Sequence, residues 1–148
     1  MGPDDASTML ARPFSMLLID DKPDDARRVG EMFQARRANV FCDNVESTAK
    51  ACDYLHQSGE FVHVDRPDVI LLNVGLPVLP DQDFLKIRQS TPDWWDIPVI
   101  AFSSSGSEAD RQACLQRGAD VYVAKPSDWE DWRGVLSALI HVYSRRRH

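Results

Sequence analysis

A chain of 148 residues, 43% hydrophobic and 27% charged, has the make-up of one globular domain, long enough to bury about two-thirds of the surface its unfolded form exposes without a disulfide or metal. Its net charge of −6 gives no basic footprint for nucleic acid, and no apolar run approaches the roughly 20 residues of a membrane span. Neither a nucleic-acid nor a membrane partner is therefore expected, and a cytoplasmic location is. Cys42, Cys52 and Cys114 lack paired spacing, so buried free thiols are expected rather than a disulfide framework or a zinc site.

The opening stretch, MGPDDASTMLARPF, lacks the charged and apolar regions of a signal peptide, and residues 1–13 are expected to be a disordered lead-in. Phe14 to Ile19 reads as a strand. Pro23 stands near the first position of a helix whose apolar stripe is Ala26, Val29 and Phe33. A short strand, Val40 to Cys42, precedes a second helix with the stripe Ala49, Cys52 and Leu55. Turn signals at Ser58-Gly59 and Arg66 to Asp68 lead to the strand Val69 to Leu72. A third helix carries Phe84, Ile87 and Arg88. Trp94 and Trp95 then fall in a loop, where one ring is expected to cover the core while the other faces solvent. Val99 to Phe102, a helix from Glu108 to Gln116, a turn at Arg117 to Asp120 and the strand Val121 to Ala124 follow.

The last helix has the most regular spacing, with Trp129, Trp132, Leu136, Leu139, Ile140 and Tyr143. Here Trp132 suits core packing, and Trp129 suits either the core or a partner surface. Arg145, Arg146 and Arg147 belong to a basic tail, residues 145–148, that caps the helix end or is solvated, with a docking tail as the alternative.

Short apolar runs alternating with helical stripes predict an α/β domain, a doubly wound, five-stranded parallel sheet with five helices. In such a sheet the informative residues stand just after each strand. They are Asp20 and Asp21, then Asn73, then Ser103 and Ser104, then Lys125 before Pro126. Taken singly, each suits a helix cap, a turn or a solvated end. Their convergence on one edge of one sheet points to a site. Two adjacent carboxylates beside an oxygen-rich loop suit Mg²⁺, a hard cation that takes one or two carboxylates and favours phosphate as a further ligand. A lysine and a serine hydroxyl nearby suit the oxygens of a phosphoryl group.

Four tracts carry a resemblance: LLIDDKPDD (17–25), RPDVILLNVGLP (66–77), IPVIAFSSS (97–105) and GADVYVAKP (118–126). In order and spacing they are similar to the successive motifs of response-regulator receiver domains, across Phe14 to Tyr143. The opening, and the tract YLHQSGEFVHVDRPD, look similar to the single-domain regulators that accompany phytochrome-type histidine kinases. The resemblance implies a flavodoxin-like sheet in the order 2-1-3-4-5 and a receiver spanning residues 14–144. It implies that Asp20 and Asp21 bind Mg²⁺ with the Gly75 carbonyl, that Ser103 and Tyr122 are the switch residues, and that Lys125 contacts phosphate. Asn73 falls on the phosphoacceptor aspartate, where a neutral amide offers no comparable nucleophile. The chain as given is therefore expected to form no acyl phosphate and to bind Mg²⁺ weakly, with Asn73 contributing its side-chain oxygen. Asp81, where such domains usually have glycine, is a second departure.

The amide suits both a receiver that works by binding alone and an engineered block of a working one. Because the chain ends with the fifth helix, no output domain is expected and no enzymatic activity. Expected partners are a histidine kinase or phosphotransfer protein, a downstream protein target, and a second copy forming a homodimer. Two other functions share the layout, a small phosphate-handling α/β enzyme and a flavin-binding module. The first is disfavoured by the lack of a glycine-rich phosphate loop, and the second by the acidic pair where a cofactor phosphate would sit.

Overall fold

In the computed structural model, residues 13–35, 40–75 and 83–146 are described. The lead-in residues 1–12, Asp81 and Arg147 lie outside them, as do the side chains of Phe33, Arg145 and Arg146. The elements in chain order are β1 (Phe14–Ile19), α1 (Pro23–Ala35), β2 (Val40–Val45), α2 (Thr48–Leu55), β3 (Val69–Asn73), α3 (Phe84–Gln89), β4 (Val99–Ser103), α4 (Glu108–Gln116), β5 (Val121–Ala124) and α5 (Trp129–Arg146). Single 3₁₀ turns, Gly59–Phe61 and Pro92–Trp94, precede β3 and β4. All strands are parallel, in the order β2-β1-β3-β4-β5.

The inner strands read as continuous apolar runs because both of their faces are buried. Leu17, Ile19, Ile70, Leu72, Val99 and Ala101 point to one face, where Ala51 and Tyr54 of α2, Phe84 and Leu85 of α3 and Cys114 of α4 cover them. The alternate residues Met16, Leu18, Val69, Leu71, Ile100 and Phe102 point to the other face, under Val29 of α1 and Trp132, Leu136 and Ile140 of α5. Trp132 is a core residue, its ring 4.9 Å from that of Phe102. Trp129 is half-buried, with the Arg28 guanidinium 5.8 Å from its ring centre. Trp94 is buried and Trp95 is 58% exposed, the division expected of the pair.

Two differences from the expected elements have local causes. β2 continues three residues past Cys42, through the polar Asp43 and Asn44. Both are satisfied there: Asp43 Oδ2 accepts from Tyr54 Oη at 2.7 Å, and Asn44 Nδ2 donates to the Leu18 and Asp20 carbonyls at 3.1 and 3.3 Å. In α2 Thr48, Ala51 and Tyr54 are buried, Cys52 and Leu55 of the expected stripe are partly buried against the same core, and Ala49 is exposed. The Ser47 side chain accepts from the Lys50 N–H at 3.1 Å, and this N-cap starts the helix at Thr48. Only Cys114 of the free thiols is buried; Cys42 and Cys52 are half-buried.

Arg88, on the mixed stripe of α3, is buried with its charge. Its guanidinium donates to the carbonyls of Gly118 at 2.8 Å and Ile97 at 2.9 Å, tying α3 to the loops that enter β4 and β5. Gly118 has φ +104°, a turn conformation that a side chain would strain.

Candidate functional site at the carboxyl edge of the sheet

The site begins where β1 stops. The Asp20 N–H continues the β1–β2 ladder by donating to the Val45 carbonyl at 3.0 Å, and Asp20 Oδ1 accepts from the Lys22 N–H at 2.9 Å. The second bond turns the chain toward α1 and holds the Asp20 carboxylate inward, 3% exposed. Asp21, one residue on, is exposed. Ile19 pairs with Leu72, so the next residue of β3, Asn73, arrives beside Asp20. Asn73 Nδ2 donates to Asp20 Oδ1 at 2.9 Å. Gly75, two residues later, is exposed.

A cavity of about 410 Å³ opens over this corner, with Asp20, Asp21, Asn73 and Gly75 in its wall. Carboxylates predominate among its charged groups: Asp20, Asp21, Glu46, Asp83 and Asp110 stand against Lys22 and Arg117. Asp83 and Arg117 form an ion pair across it. Burial, with the Asp110 carboxylate nearby, pushes the Cys114 thiol above its ordinary value.

Ser103 and Lys125 adjoin this corner but are not part of the cavity wall. Ser103 ends β4 and is buried, its Oγ accepting from the Ser105 N–H at 3.1 Å. Ser103 is in register with Ala124, and the Lys125 N–H donates to the Ser103 carbonyl at 2.6 Å, so the lysine leaves the sheet beside the serine. Half-buried Tyr122 donates its hydroxyl to the Ser105 carbonyl at 2.7 Å.

The strand-end residues singled out in the sequence thus share one edge, with Asp20 and Asn73 in direct contact. Sequence reasoning missed Ser105, Asp110, Asn44 and the Asp83–Arg117 pair. Ser105 stood within the SSS tract. Asp110 follows Ser107 by three residues, the spacing of a capping box, and that signal could have found it.

The sequence model of the response regulator receiver domain matches residues 16–136. The chain belongs to the response regulator receiver domain family. Response regulator Rcp1 of Synechocystis sp. is 28% identical over 119 residues, which span 80% of this chain and 81% of Rcp1. Response regulator Rre1 of the same organism is 24% identical over 131 residues, which span 88% of this chain but 53% of Rre1. Among solved structures, the Mn²⁺-bound form of Rcp1 superposes with a TM-score of 0.74 at 26% identity, covering 86% of this chain and 91% of Rcp1. The receiver fold accounts for the sheet order and for the convergence of polar residues at its carboxyl edge. No helix among the described residues is long and apolar enough to cross a membrane.

The donors at the receiver's acidic corner are all oxygens, two carboxylates, a side-chain amide and a backbone carbonyl, and so are the kind a hard divalent cation takes. Among the described residues no group of three or more His, Cys, Asp or Glu is placed to hold a metal. The Asn73 N–H to Asp20 contact also occupies one of the oxygens a cation would use.

Proposed function

We propose that the chain is a single-domain receiver, residues 14–144, that signals by binding and is not itself phosphorylated. Asn73 stands at the acceptor position, and the observation that carries the reading is its 2.9 Å hydrogen bond to Asp20 Oδ1. An aspartate there would be a nucleophile repelled by Asp20 until a cation screened the two. The amide cannot attack phosphorus, and it supplies positive character to Asp20 through its own N–H.

The remaining parts keep the roles of a receiver. Asp20, Asp21, the Asn73 side-chain oxygen and the Gly75 carbonyl would hold Mg²⁺ weakly, and the ion would neutralise charge on a phosphoryl group bound at this corner. Lys125, whose N–H donates to the Ser103 carbonyl, would contact the phosphate with its ammonium. Ser103 offers a hydroxyl, and Tyr122 links the edge of the sheet to the face formed by α4, β5 and α5. The partners on this reading are a histidine kinase or phosphotransfer protein, a downstream protein target and a second copy of the chain, met in the cytoplasm, with no catalysis by the chain itself. Rcp1, a response regulator solved with Mn²⁺ and matched over most of its length, supports the comparison.

Asn73→Asp tests the reading. With Mg²⁺ and acetyl phosphate, an oxygen of the introduced carboxylate can attack phosphorus while acetate leaves, and this variant should label; adding Lys125→Ala should slow it. An Asn73→Asp variant that stays unlabelled under conditions where an ordinary receiver labels would mean that the corner no longer supports phosphoryl transfer for reasons beyond one side chain.

A further inference from the structure

Ser105 is the most heavily bonded residue of the loop between β4 and α4. Its N–H donates to Ser103 Oγ at 3.1 Å, and its carbonyl accepts the Tyr122 hydroxyl at 2.7 Å. Its own hydroxyl does two things: Oγ accepts the Ser107 N–H at 3.2 Å and donates to Asp110 Oδ2 in a short bond. Ser107 is the N-cap of α4, its side chain accepting the Asp110 N–H at 3.3 Å. In an ordinary capping box the acidic residue three positions after the cap reaches back to the cap's own N–H. Here Asp110 is that residue, and the Ser105 hydroxyl is inserted between the two, relaying Ser107 N–H to Ser105 Oγ to the Asp110 carboxylate. A hydroxyl has one proton to donate and lone pairs with which to accept, so Ser105 makes both bonds at once.

We propose that this relay is a clamp: Asp110, through Ser105, holds the β4–α4 loop and with it Tyr122 in one arrangement, making Asp110 a positioning residue for the face that α4 and β5 present to a partner. A helix cap needs no contact outside its own turn. This one reaches the backbone carbonyl on which the Tyr122 hydroxyl rests, and loss of the carboxylate therefore frees Ser105 Oγ to rotate and the carbonyl to move with its peptide. Asp110 also forms part of the cavity wall over Asp20 and Asn73. A cation or donor entering that cavity competes with Ser105 for the carboxylate, giving a chain without an acceptor aspartate a route from its corner to its output face. The inference rests on reading the chain as a receiver.

The test is carried out on the full chain without any phosphodonor, following Tyr122 ring resonances and the exchange rates of the loop amides by NMR. Asp110→Ala and Ser105→Ala should each shift the Tyr122 signals and speed exchange at Ser107, by a few-fold up to about tenfold where its bond to the neutral Ser105 hydroxyl is lost. The double variant should add little to either single one, because both break the same relay. Asp110→Asn, whose amide oxygen can still accept from Ser105, should keep much of the unsubstituted chain's behaviour. Ser107→Ala removes only the side-chain cap and should lower the thermal midpoint while leaving Tyr122 in place. The clamp is refuted if Tyr122 is unmoved in Asp110→Ala, or if Ser107→Ala moves it equally, which would reduce the contact to helix capping. Failure of the receiver reading would register elsewhere, in the labelling of Asn73→Asp.

Discussion

In the metal-free protein, Asn73→Asp exchanges the 2.9 Å hydrogen bond onto Asp20 Oδ1 for two carboxylates facing one another. At that separation two unit charges repel by about 6 kcal/mol at an effective dielectric near 20. Residue 73 is only partly buried, so water screens part of this, and one carboxylate can relieve more by taking up a proton. The remaining loss, residual repulsion plus a missing bond to a charged acceptor, is about 2 kcal/mol. For a domain of this size that lowers the thermal midpoint by roughly 4–8 °C. Thermal or urea unfolding in chelator measures it, and repeating the scan with millimolar Mg²⁺ should recover most of the loss in Asn73→Asp while moving the unsubstituted chain little. Equal midpoints for the two proteins in chelator would refute the idea that the amide relieves a repulsion at this corner.

Arg88→Ala should cost about 3–5 kcal/mol, because it strips a buried cation from the Gly118 and Ile97 carbonyls and leaves them without that donor; urea unfolding measures it, and a loss under about 1 kcal/mol would contradict the role given to Arg88. Burial, with the Asp43 carboxylate beside it, pushes the Cys42 thiol up to about 12. The unfolded thiol ionises first as pH rises past roughly 8.5, so the folded state holds the extra proton and stability falls by about 1 kcal/mol per pH unit above that point. Cys42→Ala should flatten this decline in thermal midpoint between about pH 9 and 10.5, and an unchanged slope would show that the thiol is not its source.

The fold is legible where burial on both faces leaves a strand no choice of composition, as in Phe14–Ile19. The edge strand Val121–Ala124 also has the bounds its apolar run announces, and the inner strands β3 and β4 run one polar residue further, to Asn73 and Ser103. Those two residues extend the ladders, so a reading that ends strands at the last apolar residue places them just after the strands while still bringing them to the candidate site's edge of the sheet. β2 outruns its apolar residues because Asp43 and Asn44, which look like loop residues, are tolerated on an edge strand, where Tyr54 and the β1 carbonyls satisfy them. In α2 the stripe read from the sequence is right at Cys52 and Leu55, which lie against the core, and wrong at Ala49, which is exposed, because the buried face is centred on Thr48, Ala51 and Tyr54. At the site, residue types point to the acidic pair, the amide, the serine and the lysine. The hydrogen bond from Asn73 to Asp20 and the relay through Ser105 depend on rotamers and register, which no single-sequence pattern encodes.

The central claim, that the acceptor position is chemically silent, is tested most directly by intact-mass spectrometry of the unsubstituted chain after incubation with Mg²⁺ and acetyl phosphate or phosphoramidate, with Asn73→Asp run in parallel. The account predicts no added phosphoryl group on the chain carrying Asn73, and on Asn73→Asp an added group that hydroxylamine removes, as it does an acyl phosphate. A hydroxylamine-sensitive phosphoryl adduct on the unsubstituted chain would contradict it.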